Sequence, residues 1–99
     1  FLVNIINLKN KDDKCMDKCI EIHNDLERSG IDSIVDDRDE SAGKKFSDSD
    51  LIGFPVTLVV GPRELENGNV EIRFRREGNN QIIPYDNVLK IIKNKLFEG

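Results

Sequence analysis

The segment Pro55-Val56-Thr57-Leu58-Val59-Val60 is almost wholly apolar, lacks alternation, and is stopped abruptly by Gly61-Pro62. A strand with no polar side has to lie inside a sheet, covered by other elements. Phe1–Leu8 has the same character and reads as a second buried strand. Between them the hydrophobic period lengthens. Met16, Cys19, Ile20, His23 and Leu26 recur at helical spacing, behind Asp12 and Asp13, which suit a helix N-terminus. Ser29-Gly30 closes that helix, with Gly30 fitted to a left-handed cap. Ile31–Val35 is a short strand. Residues 36–47 read as a polar loop leading into a short helix whose later part is 48–52, and Gly53 ends it.

Beyond Val60 the pattern changes. Gly61-Pro62 reads as a turn, and Asn67-Gly68-Asn69 as another. Val70, Ile72 and Phe74 alternate with Glu71, Arg73 and Arg75, as in a strand with one wet face. Gly78-Asn79-Asn80 turns the chain into a strand at 81–83. Val88, Leu89, Ile91, Ile92 and Leu96 then give a closing amphipathic helix, introduced by Asp86. Strand–helix–strand–helix–strand requires parallel pairing through right-handed crossovers, and the later hairpin adds antiparallel strands. The expected fold is α/β: a mixed five-stranded sheet flanked by three helices. Residues 1–99 form one domain, and the absence of an initiator Met makes it an expected fragment of a longer protein.

Several function classes have no support in these residues. Cys15 and Cys19 share a helix face without the further ligands of a zinc site, and reduced thiols are the simpler reading. His23, the one histidine, has no recognisable nucleophile beside it, so a packing or surface role is expected and no catalytic residue is assigned. No Gly-rich loop is built to cradle a nucleotide phosphate. No run is long and apolar enough to span a bilayer, no signal peptide is visible, and a cytoplasmic, membrane-free protein is expected. The net charge of −4 argues against a protein that grips nucleic acid by bulk electrostatics. Any RNA recognition has to be local and selective.

One stretch is more specific. Asp36-Asp37-Arg38-Asp39-Glu40-Ser41-Ala42-Gly43-Lys44-Lys45-Phe46-Ser47-Asp48-Ser49-Asp50-Leu51-Ile52-Gly53-Phe54-Pro55 resembles the signature of the anticodon-binding domain of class II aminoacyl-tRNA synthetases, and the Asp48–Gly53 run resembles the bacterial-type prolyl branch. Val59–Glu64 and Glu71–Arg76 continue the resemblance, which covers nearly the whole chain and is weakest over the first helix. The absence of Trp fits the bacterial rather than the eukaryotic-like type, as does an end soon after the last helix.

The resemblance implies a module that reads the anticodon of proline tRNA within a homodimeric synthetase. The catalytic domain of that parent ligates proline to its tRNA with ATP and magnesium; this segment carries no cofactor. It further implies that Arg38, Asp39, Glu40, Lys45 and Phe46 line the anticodon pocket, and that Glu64 and Arg73 contact bases. Proline anticodons present two guanines. A guanine edge offers donors that carboxylates accept and an acceptor that Arg satisfies, so an acidic pocket with interspersed arginines is chemically sensible. Glu40 and Glu64 are the expected base-edge acceptors, and Arg38 or Arg73 the donor or stacking plane. Phe46 is a stacking platform or a core residue, and Lys44, Arg75 and Arg76 are expected on phosphates. Residues 38–40, 64 and 73 are expected to converge on one cleft. Each has a plainer reading: charged loops are usually solvated surface, and Asp36 or Asp37 can simply pair with Arg38 or cap a helix. The alternative function is a synthetase-derived protein-interaction or dimerisation module without RNA reading.

Overall fold

The computed structural model describes residues 2–8 and 12–97; Phe1 and Gly99 of the expected chain lie outside the described residues. The elements in order are β1 (Val3–Asn7), α1 (Asp13–Arg28), β2 (Ser33–Asp36), α2 (Ala42–Ile52), β3 (Val56–Val60), α3 (Pro62–Glu66), β4 (Asn69–Phe74), β5 (Asn80–Pro84) and α4 (Val88–Phe97), with a 3-10 turn at Tyr85–Asn87. The sheet order is β2-β1-β3-β4-β5. β1 runs parallel to β2 and β3, while β3–β4 and β4–β5 are antiparallel. The mixed five-stranded sheet and its three long helices match the sequence reading. The one-turn helix α3 does not: Pro62 opens it at a position where a missing N–H costs nothing, and the expected plain turn is a short helix.

Every residue of β1 and β3 is buried, the polar Asn4, Asn7 and Thr57 included, as inner strands covered on both faces require. Returning from β1 to β2 and from β2 to β3 takes the chain in opposite directions along the sheet, so right-handed crossovers put α1 and α2 on opposite faces. The α1 face holds the main core. Val3 and Ile5, Val56, Leu58 and Val60, and Val70, Ile72 and Phe74 pack there against α1 and α4.

Helix α1 is capped by Asp12, whose carboxylate accepts from Lys14 N (2.9 Å) and Cys15 N (3.2 Å). It ends as expected, with Gly30 at φ +78°. Its buried stripe is Cys15, Cys19, Ile22 and Leu26, not the expected phase: Met16 and His23 are half-buried and Ile20 is 46% exposed. A thiol packs as a small hydrophobe, so two cysteines a turn apart set the face and rotate Ile20 outward. Burial, with the neighbouring Cys15 adding to it, pushes the Cys19 thiol up to about 12.

Helix α2 begins at Ala42, where Ser41 caps it by accepting from Lys44 N (3.2 Å). Gly53 closes it at φ +83°. Its inward face is polar. Lys45 is 1% exposed and donates from Nζ to the Asn7 carbonyl (2.9 Å), and Ser49 shares a hydrogen bond with Thr57 of β3 (2.9 Å).

Two expectations follow. Lys45→Ala should lower the unfolding free energy by about 2–4 kcal/mol, through lost volume and an acceptor left without its charged donor, while Lys45→Met should cost clearly less, as urea denaturation will register. Cys19 has a raised folded pKa, so its contribution is complete below the ordinary value of 9.0 and is lost as pH climbs towards about 12. Stability measured against pH should therefore fall through that alkaline window, and the fall should be shallower in Cys19→Ala.

Candidate functional site

Strands β2, β1 and β3 are parallel, so the segments leaving β2 and β3 emerge on the same rim of the sheet. The loop carrying Arg38, Asp39 and Glu40 leaves β2, and α3 with Glu64 leaves β3, about 10 Å apart across β1. Asp39 and Glu40 are exposed and Glu64 is half-buried. The sequence-predicted acidic groups thus do share one rim.

Arg38 is tightly held there. Its Nε and Nη2 donate to the two oxygens of Asp36, each at 2.9 Å, and Nη1 donates to Asp48 Oδ2 of α2 at 3.0 Å. The hydrogen bonds from Arg38 hold the Asp36 carboxyl below its ordinary 3.8. The same two carboxylates hold the Arg38 guanidinium firmly charged. With its edges committed to carboxylates, the flat faces of this guanidinium are what it offers to a ligand. The plainer reading of Asp36 as a partner of Arg38 is correct.

Arg73 lies elsewhere. It sits opposite Thr57 on the α2 face of the sheet, about 10 Å back from the rim, and its Nη2 meets Asp50 Oδ1 at 2.9 Å. Asp48 and Asp50 are about 200° apart around α2, so Arg38 and Arg73 are held on its two flanks. The expected single cleft is therefore divided by the helix. The cleft that Arg38 lines, about 450 Å³, is bounded by Ile34, Leu51, Ile52 and Phe54 and contains neither Glu64 nor Arg73. On the other flank, the α2 face of β4 and β5 presents Glu71, Arg73, Asn80 and the half-exposed Ile82, with Asn80 Nδ2 donating to Glu71 Oε2 (3.0 Å).

Lys45 has to be removed from the surface set: its ammonium is occupied inside the fold by the Asn7 carbonyl. Phe46 is half-buried on α2. Lys44 lies 3.7 Å from Asp48 near the start of α2. Arg75 and Arg76 are exposed past the end of β4, with the Arg75 guanidinium close to where a side chain at Gly53 would begin. The three candidate phosphate contacts thus stand at opposite ends of a helix about 16 Å long. Sequence reasoning missed Asp48 and Asp50 as partners of the two arginines. Their spacing held the signal, since residues two apart on a helix point to nearly opposite sides. Among the described residues, no group of three His, Cys, Asp or Glu could hold a metal ion.

The family model for the anticodon binding domain matches residues 2–95. The chain belongs to the anticodon binding domain family. Its relatives include the proline–tRNA ligase of Sinorhizobium medicae, 45% identical over 78 residues, covering 79% of this chain and 18% of the relative. That of Syntrophomonas wolfei is 37% identical over 98 residues, covering 99% and 17%. The anticodon binding domain thus spans about a fifth of the length of the curated relatives it matches. It superposes on prolyl-tRNA synthetase from Cryptosporidium parvum with a TM-score of 0.88 at 26% identity, over 98% of this chain and 21% of the other. The histidyl-tRNA synthetase of Nostoc shares the fold, with a TM-score of 0.83 at 19% identity over 96% and 22%. No helix of the described domain is long and apolar enough to cross a membrane.

The Asp36–Arg38 pair sets an acid limit for this domain. A depressed carboxyl contributes stability that is present above its ordinary 3.8 and is lost as pH falls below it. Acid unfolding monitored by circular dichroism should be less steep in Asp36→Asn than in the parent chain.

Proposed function

We propose that this domain reads the anticodon of proline tRNA as part of a proline–tRNA ligase. The observation that carries the reading is the match of the anticodon-binding family across nearly the whole chain, joined to curated relatives bearing that enzyme's name. Aminoacylation belongs to a catalytic domain elsewhere in the parent, which uses ATP and magnesium and works in the cytoplasm as a homodimer. This domain is a single C-terminal unit without chemistry of its own.

On this reading each side chain has a distinct task. Asp39, Glu40 and Glu64 stand on the rim as acceptors for the amino and imino donors of splayed guanines. Arg73, half-exposed on the open sheet face, donates to the guanine acceptor. Arg38 presents a guanidinium face for stacking, and Phe46 supports the same RNA from α2. Lys44, Arg75 and Arg76 meet phosphates, and so fix position without specifying sequence. The exposed apolar pair Leu51 and Ile52, at 82% and 71% exposure, supports contact with the parent catalytic domain. The same patch would be the working surface of a protein-interaction module that no longer reads RNA.

Fluorescence anisotropy with anticodon stem-loops decides between the readings. Arg73→Ala and Glu64→Gln should weaken binding of the guanine-bearing loop about tenfold while hardly changing the weaker binding of a loop with adenines in those places. Lys44→Ala should weaken both loops alike. A parent chain that binds the two loops equally would refute anticodon reading and leave the interaction module.

A further inference from the structure

The inward face of α2 lacks an apolar stripe, its buried residues being Lys45 and Ser49. Besides Lys45, which reaches the Asn7 carbonyl, three consecutive residues tie the helix down. Asp48 accepts from Arg38 of the loop after β2 (3.0 Å), Ser49 bonds Thr57 of β3 (2.9 Å), and Asp50 pairs with Arg73 of β4 (2.9 Å). Three successive side chains on a helix point about 100° apart, so they can reach only a left, a central and a right neighbour. The central hydroxyl bond is buried and fixes the rotation of α2 over Thr57. Because Thr57 and Arg73 are directly paired across β3 and β4, fixing α2 over one also fixes it beside the other.

We propose that Asp48 and Asp50 are positioning residues that preset the two arginines for guanine recognition, with Ser49 setting the rotation that lets both work at once. The inference rests on the anticodon reading above. An arginine on a surface strand samples many rotamers, and ordering it during binding costs free energy that would otherwise go into discrimination. A carboxylate already holding one edge of the guanidinium removes most of that cost and leaves the remaining donors or faces aimed outward. Paired exposed charges add little to stability, so the carboxylates act on binding rather than on folding.

The test uses the 99-residue chain and two stem-loops, one with guanines and one with adenines at the second and third anticodon positions. Asp50→Asn should lower the guanine-over-adenine affinity ratio about five- to tenfold with little change in melting temperature, and Asp50→Glu should restore much of it. In Asp50→Asn/Arg73→Ala the ratio should be no lower than in Arg73→Ala alone, because the aspartate acts through the arginine. Asp48→Asn should weaken both loops alike, and no further than Arg38→Ala does, because a stacking face does not select between purines. An unchanged ratio in Asp50→Asn with the ratio lost in Arg73→Ala, or unchanged affinities in Asp48→Asn with both lost in Arg38→Ala, would overturn the positioning role and leave anticodon reading intact. A parent chain that shows no guanine preference would overturn both.

Discussion

The seat of α2 on the sheet is polar, and the site depends on it. A helix covering a sheet normally buries an apolar stripe, whose grip is strong but tolerant of small rotations. Here the inward positions are Lys45 and Ser49, held by the Asn7 carbonyl and the Thr57 hydroxyl. Hydrogen bonds with defined lengths and directions fix rotation and translation together. The cost is a desolvated ammonium, which an apolar residue of similar volume would avoid. Fixed register is what such a cost obtains, and the two surface arginines are placed by that register.

Most of the fold was legible because it rests on long apolar patterns. Pro55–Val60 could only be an inner strand, and the alternation from Val70 to Phe74 could only be a strand with one wet side. The errors arose where local chemistry competes with pattern. The first helix was read out of phase because Cys15 went uncounted among apolar residues, although its burial is complete. The one-turn helix α3 was hidden because Gly-Pro signals a turn and a helix start equally well. The start of α2 stayed open because its cap, Ser41, sits inside a charged run that looks like a loop.

The site was legible as a set of residue types and not as an arrangement. That Arg38 would pair with Asp36 was open to sequence reasoning, since the two are nearly adjacent. Which carboxylates would meet Arg38 and Arg73 across the fold depended on α2 lying between them, a tertiary fact. Lys45 failed as a surface candidate for a related reason. In the resemblance it sits among exposed signature residues, yet its own helix turns it inward, where a long side chain can reach the end of β1.

An acidic domain that binds a polyanion poses an apparent contradiction, and the geometry resolves it. With 19 acidic against 15 basic residues, the field around the chain repels phosphate at long range. Within a Debye length of about 8 Å the local arrangement matters more than the total. Asp36 and Asp48 are consumed by Arg38, and Asp50 by Arg73, so part of the negative charge on this face is compensated where it stands. The acidic groups left open on the rim, Asp39 and Glu40, are acceptors that suit a guanine edge and repel the bare backbone. On the proposed reading such a surface binds firmly only when the right bases are presented, and its affinity and selectivity would share one electrostatic origin. The chain matches about a fifth of its relatives' length, and on the proposed reading the rest of the parent would supply grip while this domain supplies choice.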